Sequence, residues 1–170
     1  MAHSEALSPT DTVAKRVREV RKRRGLTAEQ LADKLREQGV LWDRYTVTKL
    51  ENGKRQNITL SEWLTLAAVL NVAPTHLLLP VDGGEEAYQV TPTRTERVEQ
   101  VRGWVRGHWP LPGANVIQFQ AEMPEEEQGK IHLPPTQDRA ARIDDIERSM
   151  AQLSTALQHL RGEGADGEGL

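Results

Sequence analysis

Between positions 43 and 55 the chain reads DRYTVTKLENGKR. Arg44 and Thr48 stand four residues apart, as do Tyr45 and Lys49, so a helix over about 44–51 places all four on its outer side. Val47 and Leu50, three apart, fall on the inner side, and Asn52-Gly53 ends the helix where glycine supplies a left-handed turn. A duplex major groove about 12 Å wide admits one such helix. Arg44 then suits a bidentate contact to guanine O6 and N7, and Lys49 reaches the same edge or a phosphate. Thr48 brings a hydroxyl or its methyl group, and Tyr45 an amphipathic tip. After the helix, Asn52, Gly53, Lys54, Arg55 and Asn57 form a second cluster suited to gripping phosphates, while the free amides beside Thr27 offer an anion site.

Other chemistries find little footing. The chain has no Cys, and its five His are scattered without ligand spacing, so no metal site and no cofactor are expected. The carboxylates at 125–127 and 144–147 face no nucleophile or base, and no glycine loop could cradle a phosphate, which argues against an enzyme. No apolar run approaches the roughly 18 residues of a membrane span, and the N-terminus lacks a basic-then-apolar signal, so a soluble, cytoplasmic protein without membrane partners is expected. Residues 1–80 carry 13 Lys and Arg against 9 Asp and Glu, while residues 81–170 carry 9 against 16. A basic front and an acidic back mean that the front is the part to meet a polyanion.

Four capped helices surround the 44–51 segment. Ser8-Pro9-Thr10-Asp11 opens the first, with Val13, Val17 and Val20 at helical spacing until Arg24-Gly25. Thr27-Ala28-Glu29-Gln30 and Thr59-Leu60-Ser61-Glu62 both have the form of a capping box. A short last helix begins near Pro74 and buries Leu77 and Leu78. Asp43 caps the 44–51 helix, and Trp42 with Val47 forms a hydrophobic staple across its start.

Residues 81–136 read as a linker holding an amphipathic helix within 94–107, with Val98, Val101, Trp104 and Val105 on one face. A brief strand over 116–120 and an acidic tether from Ala121 follow. From 137 to 161, Ile143, Ile146, Met150, Leu153, Leu157 and Leu160 alternate three and four apart, which is the seam of a dimerising coiled coil. Residues 162–170 form a disordered tail. With 37% hydrophobic and 4% aromatic residues, the chain is too poor in core material for one 170-residue unit.

The segments RKRRGLTAEQLADKL, VTKLENGKR and LSEWLTLAAVLNVAPTHLL together resemble the lambda-repressor-like helix-turn-helix family, the XRE group of bacterial regulators. The resemblance covers about residues 12–80. It implies a five-helix domain whose third helix enters the major groove, as a dimer on a near-palindromic operator. It also implies that Arg21 and Glu51 form a structural ion pair. The chain departs from the family at Ala28, where many members carry a phosphate-touching Gln, and in the longer REQGVLW segment.

The expected protein is therefore all-α: a five-helix DNA-binding domain over 10–80, a linker and a C-terminal coiled-coil-like helix. Its expected role is that of a homodimeric, sequence-specific transcriptional regulator. The alternative is an antitoxin-like module whose acidic C-terminal half neutralises a partner protein, with DNA binding serving autoregulation.

Overall fold

The computed structural model describes residues 6–127 and nine positions between 147 and 158. The chain divides into two units, one ending at Val105 and one beginning at Arg106. The first unit opens with α1 (Pro9–Arg23), α2 (Ala28–Glu37), α3 (Arg44–Glu51), α4 (Leu60–Val69) and α5 (Pro74–Leu78).

Local chemistry sets where these helices start and stop. The Ser8 hydroxyl accepts from the Asp11 amide at the start of α1, and Pro9 occupies the first turn, where its missing N–H costs nothing. The capping boxes of Thr27 with Gln30 and of Thr59 with Glu62 are both closed reciprocally. Helices α1 to α4 all end alike. The residue after each C-cap has positive φ: Gly25, Gly39, Gly53 and, at +45°, Asn71. The next amide then turns back to a carbonyl inside the helix, from Leu26 to Arg21, Val40 to Leu35, Lys54 to Lys49 and Val72 to Ala67.

The core of these helices gathers Val13, Val17 and Val20 of α1, Leu31 and Leu35 of α2, Val47 and Leu50 of α3, Leu66 of α4 with its C-cap Leu70, and Leu77 of α5. Full burial of each such side chain contributes about 1.5–3 kcal/mol. Trp42 lies in this core beside the start of α3, while Leu64, on the far side of α4, is exposed.

Past α5 the structure corrects the all-α expectation. Strands β1 (Ala87–Thr91) and β2 (Arg94–Arg97) form an antiparallel hairpin, with Tyr88 opposite Glu96 and an irregularity between Gln89 and Thr91. The helix expected within 94–107 is shorter: α6 spans Val98–Val105, and Arg94 to Arg97 are extended. Val98 and Val101 are buried, whereas Trp104, placed on the same face by the sequence pattern, is exposed. A second apolar cluster of Leu79, Tyr88, Val98 and Val101 packs with Leu7, Leu78, Val90 and Val105. Leu7 bridges to Tyr88, and the Tyr88 hydroxyl donates to the Leu78 carbonyl at 2.7 Å. Burial pushes the Tyr88 phenol well above its ordinary range. Arg102 donates to the Pro80 carbonyl at 2.8 Å, a further tie to the segment after α5. Residues 87–105 are thus ordered elements within the first unit, not linker.

In the second unit the expected strand over 116–120 is instead α7 (Val116–Ala121), capped by Asn115, whose side chain accepts from the Gln118 amide. Met150, Leu153 and Leu157 occupy helical positions and are exposed. Ile143, Ile146 and Leu160 lie outside the described residues, as does the expected disordered tail 162–170. Among the described residues no helix is long and apolar enough to cross a membrane, and no three His, Asp or Glu gather as metal ligands.

Candidate nucleic-acid interface

Helix α3 is only eight residues long, so its placement depends on its anchors. Asp43 accepts the Thr46 amide at 2.7 Å and the Thr46 hydroxyl at 2.6 Å. The hydroxyl bond first, then the amide bond, holds the Asp43 carboxyl below its usual range. An ionised cap at this end also suits the helix dipole. Inward, Val47 and Leu50 are fully buried. At the far end Gly53, at φ +67°, reverses the chain, and the Lys54 amide returns to the Lys49 carbonyl.

The outer face then carries Arg44, Tyr45, Thr48 and Lys49, all exposed. Tyr45 is 71% exposed, unusual for so large a ring in a packed domain and suited to a contact surface. The Thr48 hydroxyl donates back to the Arg44 carbonyl at 2.8 Å, so this group offers a lone pair and a methyl outward rather than its proton. A shallow groove beside α3 is lined by Asp43, Arg44, Tyr45, Thr48 and, from α2, Glu29. Glu29 has no sequence signature of its own; only the packing of α2 on α3 brings it there.

The phosphate candidates separate into two groups. At the start of α2, the capping box satisfies the Thr27 and Gln30 amides, and helix geometry leaves those of Ala28 and Glu29 without an intrahelical carbonyl. Asn52, Gly53, Lys54 and Asn57 are exposed along the turn after α3. Thr10 of α1 donates to the Gln56 carbonyl at 3.3 Å and ties this turn to the domain. Arg55 is different. It is half-buried, donates to Glu62 Oε1 at 2.6 Å, and lies over the Trp42 ring, 4.3 Å from its centroid. The expected phosphate ligand therefore faces inward, because an indole and a carboxylate offer its guanidinium a closer seat than solvent does.

Arg21 and Glu51 are brought together. Arg21 Nε meets Glu51 Oε1 at 2.6 Å and Nη2 meets Oε2 at 2.7 Å, with both side chains nearly buried. Arg21 Nη1 also donates to the Leu26 carbonyl at 2.6 Å. The bond to Glu51 raises the Arg21 pKa against the opposing effect of burial. The pair ties the end of α1 to the end of α3 and takes both residues out of the outer face.

Residues 13–79 match the model of the helix-turn-helix domain family. Among solved structures, the chain is similar to the restriction-modification controller protein C.AhdI from Aeromonas hydrophila. The identity is 35%, over 40% of this chain and 90% of that one, with a TM-score of 0.35. No curated protein matches the chain. Residues 13–79 are thus a helix-turn-helix domain.

Proposed function

We propose that this protein is a sequence-specific DNA-binding transcriptional regulator that acts as a homodimer on a near-palindromic operator. The observation that carries the reading is the outer face of α3: four exposed side chains able to contact bases, on a helix whose inner face and both ends are fixed. In the groove, Arg44, Tyr45, Thr48 and Lys49 select sequence. The amides beside Thr27, with Asn52, Gly53, Lys54 and Asn57, hold phosphates and set the register.

Dimerisation is assigned to the C-terminal helix. Met150, Leu153 and Leu157 present apolar side chains to solvent at a/d spacing, at 64%, 46% and 54% exposure. Two copies joined there bring two α3 helices to one duplex, as two-fold operators require.

Fluorescence anisotropy tests the reading. The full-length protein, titrated onto a labelled duplex pool at several salt concentrations, should bind with an affinity that falls linearly in log–log form. Absence of binding at low salt would refute it.

A further inference from the structure

One carboxylate gathers the two flanks of α3. Trp42 stands just before the N-cap of α3, Arg55 three residues past its C-cap, and Glu62 in the first turn of α4. Glu62 Oε1 accepts from the Trp42 indole N–H at 2.9 Å and from Arg55 Nη2 at 2.6 Å. Glu62 Oε2 accepts the Thr59 amide at 2.8 Å. The Arg55 guanidinium caps the arrangement from the face of the Trp42 ring.

These contacts are shielded: the Arg55 and Glu62 side chains are 24% and 16% exposed. Burial by itself would raise the Glu62 carboxyl. The Thr59 amide, Arg55 and Trp42 together outweigh burial and hold it below its usual range. The interior of α3 contributes two buried anchors, Val47 and Leu50, which lie on a single stripe. The Arg21–Glu51 pair holds the last residue of α3, and a helix held along one stripe and at one end keeps a freedom to roll and tilt that contacts on both its flanks remove.

The geometry also argues against a phosphate role for Arg55. Its Nη2 is committed to Glu62, and its Nη1 is shut off from solvent with no hydrogen-bond partner. Reaching a phosphate with either would mean leaving both the indole and the carboxylate. We propose that Trp42, Arg55 and Glu62 form a clasp that sets the angle of α3 against DNA, each acting as a positioning residue rather than a DNA contact. The proposal rests on α3 being the element that reads DNA.

The test compares full-length wild type with Arg55→Met, Glu62→Gln and Trp42→Phe. Each is titrated onto a duplex enriched from a random library and onto a random duplex, across a salt series. A thermal melt confirms that each variant is folded at the assay temperature. All three should bind the enriched duplex on the order of tenfold more weakly, about the discrimination of one good base contact. Random-duplex affinity and the salt slope should stay at wild-type values. Glu62→Gln is the sharpest arm: loss of a negative charge on its own would tighten binding to all DNA, whereas a loosened clasp weakens only the enriched site.

If Arg55→Met lowers both affinities equally and reduces the salt slope by about one, Arg55 is a phosphate contact and the clasp is overturned. Wild-type affinity for the enriched duplex in Glu62→Gln and Trp42→Phe overturns it as well. A wild-type protein with no preference between the two duplexes contradicts instead the DNA-reading role on which the proposal stands.

Discussion

Arg21 and Glu51 face each other through two parallel hydrogen bonds of 2.6 and 2.7 Å, joining the last turn of α1 to the last residue of α3. With the side chains only 12% and 6% exposed, neither charge has much water to fall back on. Glu51→Ala leaves a buried guanidinium unpaired and should cost about 3–5 kcal/mol of folding stability. The double variant Arg21→Met, Glu51→Leu should recover much of that loss, because it removes both charges together. Urea unfolding of the two variants beside wild type measures both effects.

The outer face of α3 and the turn behind it should fail in different ways. Arg44→Ala should cost about 1–3 kcal/mol of discrimination and relax the preference at one operator position. Lys54→Ala should weaken binding to all duplexes alike and reduce the salt slope by about one. Equal losses on specific and random DNA for both variants would undo this division of labour.

Glu62 gives the domain a defined acid sensitivity. Its carboxyl is held below the ordinary glutamate range, so its contribution to stability is fully present above that range. The contribution disappears as pH falls through the lower, folded value. Glu62→Gln should therefore be less stable than wild type near neutrality, and the gap should close on acidification below about pH 4. Thermal melts of the two proteins across a pH series check the sign.

Leu153→Asp places a charge in the middle of the exposed apolar row of the C-terminal helix. The variant should show half the wild-type mass in sedimentation or light scattering, while its helical domain melts as before. An unchanged mass would move the dimer contact elsewhere.

How much of this was legible depended on how local each cause is. The starts of α2, α3 and α4 could be read because Thr27 with Gln30, Asp43 with Thr46, and Thr59 with Glu62 act within one turn. Most helix ends could be read from Gly25, Gly39 and Gly53; Asn71 does the same work with a weaker signal. The hairpin was hidden because Val98, Val101 and Val105 give a true helical spacing that invites extension back over Thr95. What holds residues 87–97 as strands is distant in sequence: Leu7 against β1, and the Leu78 carbonyl under the Tyr88 hydroxyl. At 116–120 the β-branched and aromatic run suggested a strand, but the Asn115 cap decides for a helix.

The candidate site divides along the same line. The outer face of α3 followed from four-residue spacing, which the sequence displays directly. The inward turn of Arg55 did not, because its indole lies 13 positions earlier and its carboxylate seven positions later. A cation after a recognition helix looks like a phosphate ligand until its neighbours in space are known.

The proposed function requires α3 to read a particular DNA sequence in a two-fold arrangement. Selection from a random duplex library, with full-length wild type beside full-length Leu153→Asp, tests it most directly. A two-fold symmetric consensus is expected for wild type, and a weaker half-site for the variant. A library from which neither protein enriches any sequence would contradict it.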